Sequence, residues 1–203
     1  MLTLPRLRQS FRHGVHPPDS KELTAQVPVR RMPFPDEVVL PLRQHAGKPA
    51  RLLVKPGDHV ERGDKLAEAD GFISVPIHAS AGGTVADVDW APHPDGSMAQ
   101  AVRIRVDRYS AQLPRPRMVP HWEGLATPEV VRAVQDAGVV GLGGAAFPAH
   151  VKLAPPPDAR IELLLVNGAE CEPYLTTDHR TMVEFPDRVW FGVRIMMRSL
   201  GVA

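Results

Sequence analysis

The residues best suited to chemistry lie between Ala137 and Tyr174. The stretch reads A-G-V-V-G-L-G-G-A-A-F-P-A-H-V-K-L, then a proline-rich link, then I-E-L-L-L-V-N-G-A-E-C-E-P-Y. Gly141, Gly143 and Gly144 let the backbone approach a ligand closely and present consecutive N–H groups, which suits a phosphate. Lys152 adds a positive charge. The apolar run Ile161 to Val166 reads as a fully buried strand. Asn167, Glu170 and Glu172 follow at its carboxyl end, where α/β folds place ligands. Phe147 suits stacking on a nucleotide ring, and equally core packing. The residues alone therefore indicate a nucleotide or flavin phosphate site with a polar, acidic far wall. An ordinary tight loop, and a polar strand end capping the next helix, stand beside that reading.

The same residues carry a family resemblance. Gly141-Leu142-Gly143-Gly144-Ala145-Ala146-Phe147-Pro148, then Lys152, then Asn167-Gly168-Ala169-Glu170-Cys171-Glu172-Pro173-Tyr174, resembles the RnfC subunit of the bacterial Rnf ion-translocating electron transport complex. More distantly it is similar to the flavoprotein subunit of respiratory complex I. A G-V-H-P-P start at Gly14 to Pro18 also belongs to the resemblance, which spans nearly the whole chain from Phe11 onward. The resemblance implies that this region holds FMN and faces NADH as substrate. Gly141, Gly143, Gly144 and Lys152 would serve the phosphate and ribityl groups. Phe147 would stack on a ring, Asn167 and Glu170 would meet the isoalloxazine or ribityl edge, and Glu172 would face the nicotinamide nucleotide. Cys171 would pack near the flavin. No catalytic side chain and no metal ligand is assigned.

The implied protein is an electron-transfer subunit of a membrane-associated NADH:ferredoxin-type oxidoreductase that couples electron transport to ion translocation. Its partners would be the other subunits, and its place the cytoplasmic face of the bacterial inner membrane, as a peripheral protein. In the longer family form, 4Fe-4S clusters follow later; their cysteine ligands are absent here, and this chain alone is expected to be inactive. The alternative is a non-catalytic docking module, or a truncated fragment that no longer binds flavin. The family carries glycine where this chain has Ala146, and threonine where it has Ala149. A positive φ would strain an alanine, and the missing hydroxyl removes a possible hydrogen bond.

Composition sets the frame for these residues. A chain of 203 residues with 43% hydrophobic content can bury a real core in one or two domains. A net charge of +1 gives no broad electrostatic case for nucleic acid. The single cysteine rules out an internal disulfide and cannot by itself ligate an iron–sulfur cluster. No apolar run approaches the roughly 20 residues of a membrane helix. The 22 prolines imply many loops.

The elements that must position the candidate residues follow from pattern. Residues 1–32 read as an extended arm, with Arg6, Arg8 and Arg12 near the start and His13 and His16 in a proline-bounded loop. Residues 33–110 read as a small all-β module of barrel-sandwich, lipoyl-like type, with strands around Val38-Val39-Leu40, Leu52-Leu53-Val54, Phe72 to Val75, Thr84 to Val88 and Val102 to Val106. V-K-P-G-D-H-V (54–60) and A-S-A-G-G-T-V (79–85) echo one another. A lipoyl or biotin carrier needs a lysine at the hairpin tip, and Glu68 to Ile73 offers none; Lys65 falls in the approach strand. Residues 111–122 read as a proline-rich linker containing Arg115 and Arg117. Residues 123–203 read as the first part of an α/β FMN/NADH domain, giving an α+β multidomain chain. A helix is expected with Thr127 as N-cap, Pro128 in its first turn and Gly138 at its stop. Further helices are expected to start near Thr176-Thr177-Asp178 and to run from about Pro186 to Leu200. Val189, Val193, Met196 and Leu200 mark an apolar stripe on the last. An apolar helix after a single strand calls for more sheet, so the chain reads as the amino-terminal part of something longer.

Overall fold

The computed structural model describes residues 17–114, 121–142 and 144–202. Readings that fall on the arm before Pro17, on Arg115 and Arg117, and on Gly143 lie outside these residues. Two compact units are distinguished. One joins residues 17–29 to Asn167–Val189; the other joins Arg30–Val166 to the chain from Trp190 onward.

Among its described residues the second unit is built on seven antiparallel strands: β1 (Glu37–Pro41), β2 (Arg51–Leu52), β3 (His59–Val60), β4 (Lys65–Glu68), β5 (Ile77–His78), β6 (Gly83–Pro92) and β7 (Met98–Val106). They form two sheets, ordered β1-β7-β6-β3 and β2-β4-β5. The inner faces enclose one core, with Leu66, Val85, Val102 and Ile104 essentially sealed from solvent beside Leu40, Val60 and Ile77. Each such side chain contributes roughly 1.5–3 kcal/mol by burial. Along the end of β7, Val102, Ile104 and Val106 point inward while Arg103 and Arg105 stay outside, the period-two pattern of a half-buried strand. Arg103 reaches Glu37 on β1 at 2.6 Å and Asp87 on β6 at 3.2 Å, tying three strands across the outer face.

Short turns replace crossover helices. Gly57 and Gly63 have φ of +91° and +93°. The aspartate after each closes its turn: Asp58 accepts the Lys55 N–H at 2.9 Å and Asp64 the Glu61 N–H at 2.8 Å. The two echoing segments are neighbours, since His59 opposes Thr84 and Val60 opposes Gly83.

Two strand expectations are corrected. Phe72 to Val75 is not a strand but a bent connection between β4 and β5. Its backbone bonds go elsewhere: the Ile73 carbonyl accepts from Lys48 N–H at 3.1 Å, and Val75 N–H donates to His45 Nε2 at 3.3 Å. Pro76, which has no N–H, stands directly before β5. Ile161 to Val166 forms no strand either; Leu163 and Leu165 are 69% and 82% exposed. Among the described residues no strand lies alongside to pair its backbone, and an apolar run without a ladder partner gains nothing from extended geometry.

The linker reading missed a structural residue. Gln112 is buried with φ of +51°, and its amide copies a strand partner. Oε1 accepts the Gly82 N–H at 2.7 Å, while Nε2 donates to the carbonyls of Gly82 and Asp107, both at 3.0 Å.

Among the described residues four α-helices follow: α1 (Thr127–Asp136), α2 (Ala149–Lys152), α3 (Thr177–Glu184) and α4 (Pro186–Leu200). Thr127 does not cap α1. It is the first helical residue after Ala126, whose N–H is taken by Glu129 Oε2 at 2.8 Å. Gly138 stops the helix at φ +72°. α4 carries the expected stripe, half-buried at Val189, Val193, Met196 and Leu200, and ends at Gly201 with φ +67°.

Candidate functional site

The candidate residues divide between the units. Gly141, Gly144, Phe147 and Lys152 belong to one, Asn167, Glu170 and Glu172 to the other.

The glycine loop leaves α1 at Gly138 and is pinned at both ends. Val140 bridges Pro148, Gly141 N–H donates to the Phe147 carbonyl at 3.0 Å, and Ala149 N–H donates to the Val139 carbonyl at 3.0 Å. Between these anchors Leu142, Gly144 and Ala145 are solvent-exposed. Among the described residues, the N–H groups of Leu142, Gly144 and Ala145 have no hydrogen-bond partner. Gly144 has φ of +156°, and a side chain added there would meet nothing within 4 Å. Ala146 has φ of +50°, in the left-handed region that disfavours an alanine. Lys152, on the single turn α2, is exposed and carries no ion pair among the described residues; its Nζ stands 5.8 Å from the half-buried Phe147 ring. Free N–H donors on a loop, followed one short helix later by an unpaired ammonium, make a donor set that fits a phosphate.

The acidic turn is more committed. Asn167 Oδ1 accepts the Ala169 N–H at 2.9 Å, closing its own turn. Glu170 Oε1 accepts the Asp178 N–H at 2.9 Å, so it caps the start of α3. The sequence missed Lys21. Its ammonium donates to the carbonyls of Leu175 at 2.8 Å and Glu172 at 3.2 Å, and stands 4.0 Å from Glu170 Oε2. Tyr174, at φ +65°, gives its N–H to the Asp19 carbonyl at 2.8 Å. The Glu172 carboxylate has no partner among the described residues. Cys171 is exposed.

Sequence reasoning also missed His150. Two residues before Lys152, it is 2% exposed, and its Nε2–H donates to the Phe72 carbonyl at 2.8 Å. Its only sequence signal is its place beside the motif. A cleft of about 760 Å³ opens next to it, lined by Lys65, Phe72, Arg132, Asp136 and Pro155 to Pro157 among others; Gly141, Gly144, Phe147 and Lys152 do not line it.

Comparison with known proteins matches two family models in chain order. The RnfC barrel sandwich hybrid domain covers residues 9–109, and the Nuo51 FMN-binding domain covers residues 134–203. The fold is thus an all-β barrel sandwich followed by a region resembling that FMN-binding fold. The chain is 46% identical over 197 residues to the C subunit of the proton-translocating ferredoxin:NAD(+) oxidoreductase complex of Clostridium ljungdahlii, covering 96% of this chain and 42% of that protein. It is 42% identical over 193 residues to the Na(+)-translocating counterpart of Acetobacterium woodii, covering 95% and 44%. It is 41% identical over 198 residues to the C subunit of the ion-translocating oxidoreductase complex of Rhodobacter capsulatus, covering 95% and 37%. The chain therefore spans less than half the length of these relatives.

Proposed function

Because this chain is homologous to the RnfC subunits of Rnf complexes, over the amino-terminal region of that family, we propose that it is part of an electron-transfer subunit in a membrane-associated NADH:ferredoxin-type oxidoreductase. The full complex would couple electron transport to ion translocation. Other subunits would be its partners, and it would lie peripherally on the cytoplasmic face of the membrane. No helix among the described residues is long and apolar enough to cross a membrane. Cluster ligands would come from the remainder of the longer family form.

The observation that carries the flavin reading is the donor set of the glycine loop. The free N–H groups of Leu142, Gly144 and Ala145 would bind the phosphate of FMN, Gly143 would continue that backbone, and Gly141 would keep the approach clear. Lys152 would neutralise the phosphate charge, and Phe147 would offer its ring beside it. On the acidic turn, the Asn167 amide keeps its N–H₂ donors for the flavin edge while its oxygen holds the turn. Glu170 would act mainly by fixing the turn through α3 and Lys21, and the unpaired Glu172 carboxylate would face the nicotinamide nucleotide of NADH. When bound, FMN supplies the chemistry of taking a hydride and releasing electrons singly. The protein's share is binding, orientation and charge.

A fluorescence titration of the chain with FMN, and separately with riboflavin, tests this. Saturable FMN binding is expected, weaker for riboflavin, and weakened about tenfold by Lys152→Ala, in line with loss of one charge-assisted contact. Absence of binding by a chain that circular dichroism shows to be folded sinks the reading, and so does equal affinity for riboflavin. The docking alternative then takes its place, favoured by the structural use already made of Glu170.

A further inference from the structure

Residues 69–76 form the bent connection between β4 and β5. It is bound to the helices that flank the glycine loop. His150 Nε2–H donates to the Phe72 carbonyl at 2.8 Å, and the two rings meet edge-on at 5.9 Å. A carbonyl only accepts, so Nε2 carries a proton here; Nδ1 is buried with no partner among the described residues. A buried polar atom without a partner is destabilising, so His150 is a poor choice as mere filler. On α1, Gln135 Nε2 donates to the Ser74 carbonyl at 3.1 Å. A second line reaches the loop itself. Val75 N–H donates to His45 Nε2, His45 Nδ1–H then donates to the Ala46 carbonyl at 3.0 Å, and Ala46 N–H donates to the Ala146 carbonyl at 3.2 Å. Ala146 is the residue held in the left-handed region. One connection of the β-module thus grips α1 before the loop, α2 after it and, through His45 and Ala46, the strained residue within it.

We infer that this connection is a template that holds the glycine loop in its ligand-ready shape, and that His150 is a positioning residue for the anion bound there. The inference rests on the reading that the loop takes the flavin phosphate.

The test uses the 203-residue chain with His150→Leu, which removes the donor at similar volume, and His150→Gln, whose amide N–H can reach the same carbonyl. Two quantities are read: the hydrogen-exchange rate of the Ala46 amide against those of Val85 and Ile104 in the sheet, and the FMN dissociation constant. The leucine variant should speed Ala46 exchange at least about tenfold with the sheet amides unchanged, a local opening. It should weaken FMN about tenfold, and glutamine should restore both to within about threefold. Unchanged Ala46 exchange in the leucine variant overturns the template. Faster Ala46 exchange with unchanged FMN affinity overturns the positioning role. Faster Ala46 exchange in a chain whose wild type never binds FMN upholds the template and fails the flavin reading instead. If His150→Leu does not fold, Gln135→Ala, which removes only the Ser74 bond, is read by the same two measurements.

Discussion

Ala146 shows what one backbone conformation costs a residue with a side chain. Its φ of +50° is the backbone shape that a glycine adopts freely and an alanine resists by about 1–2 kcal/mol. The flanking bonds, Gly141 to Phe147 and Ala46 to Ala146, over-determine the loop and hold it there. The conflict was legible in advance, because the resembling family carries glycine at this position. Ala146→Gly should therefore raise the unfolding free energy by about 0.5–1 kcal/mol, the strain relieved less the extra entropy of a glycine in the unfolded chain. Urea unfolding with an unchanged slope and a higher midpoint would show it; a lower midpoint would mean that Ala146 is not strained. His150, Gln112 and Lys21 were not legible. Their roles depend on partners 78, 30 and 154 positions away in the chain, such as Phe72, Gly82 and Leu175. No spacing rule encodes such pairings.

Among the elements, turns and long strands were read well and the short connections poorly. β1, β6 and β7 follow from alternation, and α4 from its stripe, because in each the local period and the tertiary environment agree. β3 and β5 are two-residue strands with no period to detect, and the residues 72–75 look like a strand but spend their backbone bonds on a loop. The glycine loop was recognised as a motif, whereas the short helix α2 behind it was not, since four residues cannot show a helical repeat. The β6–β7 pair offers a sharp test of what a glycine does in a strand. A Cβ placed on Gly83 would lie 2.1 Å from the Arg105 carbonyl oxygen and 2.9 Å from its carbon, so the partner backbone itself would have to move. At Gly124 the same atom would meet nothing within 4 Å. Gly83→Ala should cost about 2–3 kcal/mol, and Gly124→Ala should fall within about 0.5 kcal/mol of wild type. Paired thermal melts decide it; equal effects would refute the close approach.

At the scale of the whole chain, the two units differ in what holds them together. The Arg30–Val166 unit has a sealed apolar core, whereas in the other, among the described residues, only Thr176 is buried. That smaller unit relies on polar ties: Lys21 to the acidic turn, Arg180 to the Ala25 carbonyl at 3.1 Å, and Glu184 Oε1 accepting the Val29 N–H at 2.9 Å and the Arg180 guanidinium. The Val29 N–H first, and Arg180 after it, hold the Glu184 carboxyl below its ordinary pKa. A depressed carboxylate contributes stability that is complete above its unfolded pKa, about 4.3, and is lost as pH falls through the folded value. The larger unit has an acid-sensitive carboxylate too. The Ser97 hydroxyl and N–H, then His93 and Arg43, hold Asp95 well below the usual range, but that cluster ties the β6–β7 turn to Arg43 and leaves the apolar core untouched. Unfolding should therefore not be two-state. Below about pH 4, pepsin should cut within residues 17–29 and 167–189 before it cuts β6 or β7, and Glu184→Gln should show the same early cutting. At neutral pH, with thermolysin in place of pepsin, the glutamine variant should also lose part of its protection, because an amide accepts from Val29 and Arg180 less strongly than a carboxylate does. Simultaneous cleavage of both units across the acid range would mean that polar ties and a packed core are equally strong here. Adding FMN at neutral pH then separates the roles of the two units. If the glycine loop alone supplies the affinity, ligand should slow cleavage of the larger unit only. Equal protection of both would mean that the acidic turn with Asn167 and Glu172 also engages the ligand.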